Sequence, residues 1–178
     1  MNLTEKLKNF EIIDSHMHLG IAPNVLYYNY SDDRVVEIQK AYNVKISICS
    51  HCIGFYDLSL QIEEINKAAE RFGEFFYWNL VYNPKKASES LKIIEANRLK
   101  INFAEYPDVY LDFSGDTIYP PVFKMVIEKL GKGRILFGTD MPMMDIRYHV
   151  ASVLAADITN EERKDIFYNT AAKLYGFY

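Results

Sequence analysis

The sequence predicts an α/β fold of parallel strands with helices packed outside. Three observations carry this. Short apolar strand candidates recur along the chain, "FEIID" (10–14), "VKISIC" (44–49) and "RILF" (134–137) among them. Stretches with apolar residues at helical spacing separate them. The alternation repeats at roughly thirty residues, the length of a strand, a crossover helix and two loops.

The elements follow in order. "FEIID" is the first strand. Ser31 can cap a helix carrying Val35, Ile38 and Tyr42 on one face. "VKISIC" is β-branched and short, a buried strand. Leu58, Ile62, Ile65, Ala69 and Phe72 line the next helix, and Gly73 is placed to end it as a left-handed cap. "FFYWNLV" (75–81) is the third strand. Asn83 and Pro84 then open a helix bearing Leu91 and Ile94. After the middle of the chain, "VYLDF" (109–113) and "RILF" flank a helix with Phe123, Val126, Ile127 and Leu130, stopped at Gly131. Thr159 and Glu162 have capping-box spacing for a last helix that carries Ile166, Phe167 and Leu174 and stops at Gly176.

One place breaks the rhythm. Leu99–Ile101 and the strand beginning at Val109 are separated only by "NFAEYPD". A parallel crossover needs at least ~10–12 residues, so these two runs cannot be ordinary neighbours in a parallel sheet.

Composition narrows the function classes. With 178 residues, 49% of them hydrophobic, the chain suits a single domain with a substantial core. A net charge of −4 with both signs scattered gives no basic stripe for nucleic acid or an anionic membrane. No apolar stretch approaches the ~20 residues of a membrane span. "MNLTEKLKNF" lacks the apolar core of a secretory signal, so a cytoplasmic location is the expectation. Cys49 and Cys52 are the only cysteines, too few for a disulfide framework.

The chemistry is concentrated at two strand ends. In "EIIDSHMHLG", His16 and His18 are two apart and so face one side of a strand. Imidazole is the commonest metal ligand, and a pair on one strand end offers a double grip. An HxH pair alone also arises from hydrogen-bonded core histidines, but Asp14 before it and Gly20 after it match a parallel strand's carboxyl end, where barrels build their sites. In "RILFGTDMP", Asp140 stands at the tip of the last strand. It could simply cap the following turn. If the first and last strands are neighbours in a closed barrel, it faces the histidines, where a carboxylate can bind a metal and accept a proton from water.

With "IIDSHMHLG", "YPDVYLDFSG", "RILFGTDMP" and "ERKDIFYNTAAKLYGF" in this order, the chain resembles the amidohydrolase superfamily, in its amidohydrolase-related branch of metal-dependent hydrolases and decarboxylases. The resemblance implies a TIM-type (β/α) barrel, a divalent metal (zinc, with manganese the alternative), and a small-molecule substrate. It implies His16 and His18 as first-strand ligands and Asp140 as the last-strand aspartate, both ligand and catalytic group. Asp112 and Ser114 take structural or substrate-proximal places. It also exposes an absence: family members are longer, and their middle strands supply a lysine or glutamate and two further histidines that find no match here. About two to three βα units of the barrel have no counterpart between Ile101 and Ala104. The expectation is one domain over 1–178 with an internal deletion, or a stretch left out, near 101–104, leaving five or six parallel strands. An open barrel of that kind would expose strand edges, which a homo-oligomer would cover.

Other candidates are weaker. "CSHC" (49–52) lacks the second ligand pair of a zinc site. Cys49 reads as core, and His51 as a substrate contact on the loop at the mouth. His149 reads as a packing residue, Arg147 as a surface ion pair, and Trp78 as core, with Tyr82 and Asn83 able to reach the mouth. The leading function is hydrolysis of a small amide, ester or carboxylated substrate. The alternatives are decarboxylation with similar ligands, or an inactive shortened barrel serving as an interaction module. A phosphoesterase reading is disfavoured by "FGTDMP" and by the lack of a phosphate-binding glycine loop.

Overall fold

The computed structural model describes residues 3–21, 30–79, 92, 110–115 and 119–177. Among them are five strands: β1 (Ile12–Leu19), β2 (Val44–His51), β3 (Phe76–Trp78), β4 (Leu111–Asp112) and β5 (Ile135–Leu136). β1 pairs with β2, β2 with β3, and β4 with β5, all in parallel. The end of β5 joins the two groups. Ser15 N–H donates to Phe137 O at 2.7 Å, Asp140 N–H to His16 O at 2.8 Å and His18 N–H to Met141 O at 2.6 Å, with a parallel bridge between Met17 and Met141. The spatial order is therefore β3-β2-β1-β5-β4, and the first and last strands lie side by side as barrel closure requires.

Both faces of this sheet are covered, the usual condition of parallel strands. Successive residues of a strand point to opposite faces. Ile12 and Ile135 enter a cluster with Val35, Phe123, Val150 and Phe167, whereas Ile13 and Leu136 enter a second one closed by Ala171 and Ala172. The helices Asp32–Ala41, Leu60–Phe72, Pro121–Leu130 and Ile146–Ala155 supply the outer layer. Ser31 caps the first of these through Arg34 N–H. Thr159 and Glu162 form the full capping box before Asn160–Lys164. A π-helical turn, Asp165–Asn169, then leads into Thr170–Tyr175.

Several boundaries differ from the sequence expectation. β1 and β2 run on through His18 and His51, because backbone hydrogen bonds to neighbouring strands extend them past the apolar residues. Leu58 is buried but precedes its helix, which starts at Leu60. Gly73 has φ 61° but ψ −139°, so it is not the left-handed cap expected; Gly176, at φ 74° and ψ 31°, is one. β4 is shorter than the strand expected at 109–113, since Tyr110 and Phe113 fall outside it. The helix expected after Pro84 apart from Lys92, residues 80–81 and 109 of the expected strands, Tyr82, Asn83, and the junction at 101–104 lie outside the described residues.

Candidate metal centre

His16 and His18 stand near the carboxyl end of β1, with their rings 5.2 Å apart between centroids. Both present Nε2 to the same oxygen of Asp140: His18 Nε2 is 3.1 Å and His16 Nε2 3.6 Å from Asp140 Oδ1. One ligand atom from each of the three residues lies within 4.8 Å of the others. Two donors at ~2.0–2.2 Å from a tetrahedral zinc stand ~3.4 Å apart, and the two observed separations bracket that figure. The donor set therefore fits a divalent cation with nitrogen and oxygen ligands.

The far side of each ring is held. Asp112 Oδ2, at the end of β4, accepts from His16 Nδ1 at 2.5 Å, and Ser114 Oγ is 3.1 Å from the same nitrogen. A carboxylate only accepts, so the proton sits on Nδ1 and the Nε2 lone pair is turned toward Asp140. Ser50 Oγ of β2 lies 2.9 Å from His18 Nδ1 and can accept from it in the same tautomer. Such partners are what orient metal-binding histidines. The Asp112 hydrogen bond also pushes the His16 pKa above its ordinary value, against burial. Gly138 makes the arrangement possible: a Cβ at that position would overlap Asp112 Oδ1 and lie 2.8 Å from His16 Cβ.

Asp140 adopts φ 55°, a left-handed conformation that aspartate tolerates better than most residues. It is fixed in place from both sides. Asp14, wholly buried, accepts from Thr139 N–H at 3.0 Å, Thr139 Oγ1 at 2.5 Å, Gln39 Nε2 at 2.7 Å and His16 N–H at 3.2 Å. Burial pushes its pKa up to about 6 against those hydrogen bonds, which leaves it ionised at neutral pH.

The remaining candidates fall elsewhere. His51 is not part of the cluster; its Nδ1 accepts from Ile53 N–H at 3.3 Å and its ring packs where Gly20 has no side chain. Cys49 and Cys52 are free and buried, and burial pushes the Cys52 thiol up to about 11. His149 is buried, with Nε2 3.0 Å from Gly115 O. Arg147 pairs with Asp145, and Trp78 packs against the core. Phe55, half exposed, stands beside His18 at 5.6 Å between centroids. Sequence reasoning missed Ser50, Thr139, Gln39 and Phe55; only Ser50 carried any signal, as a polar residue at the end of a β-branched strand.

Comparison with known proteins agrees with the architecture. A family model described as amidohydrolase matches residues 102–177. The crystal structure of 2,6-dihydroxybenzoate decarboxylase from Rhizobium is similar in fold, with a TM-score of 0.62 at 10% identity, covering 94% of this chain and 99% of that one. No curated protein sequence matches. The matched segment takes in three of the motifs of the resemblance, "YPDVYLDFSG", "RILFGTDMP" and "ERKDIFYNTAAKLYGF", and the likeness to the Rhizobium structure is one of fold.

Proposed function

We propose that the chain is a metal-dependent hydrolase acting on a small amide, ester or carboxylated substrate, with His16, His18 and Asp140 as its metal ligands. The observation that supports this most is the convergence of both Nε2 atoms on Asp140 Oδ1. A divalent cation, zinc before manganese, would lower the pKa of a bound water toward ~7 and polarise a substrate carbonyl. Asp112 holds the opposite nitrogen of His16 and turns its lone pair inward, and Ser50 Oγ, 2.9 Å from His18 Nδ1, can do the same for His18. Asp140 takes the proton of the attacking water and returns it to the leaving group. Phe55 offers an apolar wall to the body of the substrate, and His51 a polar contact at the end of β2. Among the described residues no helix is long and apolar enough to cross a membrane.

Decarboxylation is the second reading, favoured by the activity in the name of the Rhizobium structure and by the aromatic Phe55 beside His18. Elemental analysis of the purified chain, followed by assays of amide and ester cleavage and of CO2 release from aromatic acids, tests both. About one equivalent of zinc or manganese with cleavage supports the hydrolase, and CO2 release supports the decarboxylase. His16→Ala or His18→Ala should remove the metal, whereas Asp140→Asn should chiefly abolish turnover. No metal and no turnover would refute both readings and leave a shortened barrel that acts by association, as a homo-oligomer or with another protein.

A further inference from the structure

Asp14, Gln39 and Thr139 form a polar cluster of three side chains with no exposed surface, from three different elements. A buried polar cluster of this kind is costly unless every member is matched, and nothing in the reaction chemistry above uses it. Its hydrogen bonds are distributed in a particular way. Thr139 Oγ1 donates to Asp14 Oδ2 and accepts from Met141 N–H at 3.1 Å. Thr139 N–H donates to Asp14 Oδ1. Met141 O accepts from His18 N–H at 2.6 Å. The residues immediately before and after Asp140 are thus both tied to the Asp14–Thr139 pair, while Asp14 also holds His16 N–H. The left-handed backbone of Asp140 lies between these ties. Such a conformation persists only where its surroundings over-determine it.

From this geometry we infer that Asp14, acting through Thr139, is the positioning residue that sets the Asp140 carboxylate against His16 and His18. The inference rests on the reading of those three residues as metal ligands. It goes beyond it by assigning the ligand geometry to a side chain that touches no metal. Gln39, from the helix Asp32–Ala41, completes the cluster by donating to the same Asp14 oxygen as the Thr139 hydroxyl.

The test uses the whole chain, stripped of metal, and Co2+ as the probe, because cobalt bands report both affinity and ligand geometry. Thr139→Val keeps the shape and removes the hydroxyl; Thr139→Ser keeps the hydroxyl. Thr139→Val should lower cobalt affinity by about ten- to a hundredfold and change the intensity or position of the bands. Thr139→Ser should stay within about threefold of the wild type with unchanged bands, by the same reasoning. A merely structural role would lower the melting temperature of the metal-free Val variant and leave the bands of its bound form untouched. Unchanged affinity and bands in Thr139→Val overturn the inference. If that variant does not fold, Gln39→Met removes a donor to Asp14 from the side away from the ligands. It should cost at least about threefold in affinity, and wild-type affinity there overturns the inference equally. If the wild-type chain itself takes no cobalt, the ligand reading fails, a result distinct from a wild type that binds and a valine variant that binds as well.

Discussion

Replacing Asp112 with alanine removes the carboxylate behind His16. The pair is short, at 2.5 Å, but its side chains are 38% and 30% exposed, so solvent screens part of its strength. A hydrogen bond to a charged group contributes about 1.5–3 kcal/mol, and the exposure argues for the lower end. About 1.4 kcal/mol is a tenfold change in an equilibrium constant. Ser114 Oγ, 3.1 Å from the same nitrogen, can take over as acceptor and keeps the loss from growing. Asp112→Ala should therefore weaken zinc binding about tenfold, the low end of the range for partners of ligating histidines. Asp112→Asn keeps an acceptor and loses only the charge, so its loss should be about threefold. Combining Asp112→Ala with Ser114→Ala removes both acceptors and should approach a hundredfold. Competition for zinc against a chromophoric chelator, at constant pH and salt, gives the affinities. Wild-type affinity in the double variant would refute the argument that His16 is oriented from behind.

Two further predictions test the surroundings. Gly138→Ala forces a methyl group into Asp112 Oδ1 and against His16 Cβ. It should cost at least tenfold in zinc affinity and about 1–3 kcal/mol in urea unfolding, and a variant that binds and unfolds like the wild type would show the contact to be yielding. Burial holds the His149 imidazole below its ordinary 6.5, so below that pH the unfolded chain takes up a proton that the folded chain resists. Stability from this group is present above pH 6.5 and lost as the pH falls through the lowered value. The stability of the wild type relative to His149→Gln should accordingly shrink between about pH 7.5 and 5.5, and a difference independent of pH would contradict the assignment.

The parts of the site legible in the sequence were those with local periodicity. His16 and His18 share a face because strand side chains repeat every two residues, and Asp140 stands out at the tip of a short apolar strand. The alternation of strands and helices likewise pointed to the parallel arrangement, whereas the adjacency of β1 and β5 was an expectation only of the closed barrel that the family resemblance implied. What escaped was whatever depends on register between strands. Asp112 lies 96 residues from His16, and Ser50 32 residues from His18, and no spacing within either segment announces the pairing. Gln39 was hidden by its place on a helix whose apolar face dominated the pattern. The run of β1 beyond Asp14 was obscured because serine and histidine interrupt the hydrophobic signal, although backbone hydrogen bonds on both sides carry the strand through them.

The adjacency of β1 and β5 has a consequence for biosynthesis. His18 and Asp140 are 122 residues apart in the chain. At roughly 5–20 residues per second, a ribosome needs about 6–25 s to make the second partner after the first. Throughout that interval the histidine pair has no carboxylate opposite it, and β1 lacks the neighbour that takes up Ser15 N–H and His18 N–H. β2 and β3 can pair with β1 early, since they follow it closely, but the contact of the two histidines with Asp140 must wait for β5. A cation captured before that point would meet two imidazoles and whatever else the unfinished chain offered. A cation held by all three side chains would therefore be taken up only after β5 has been made and has docked on β1.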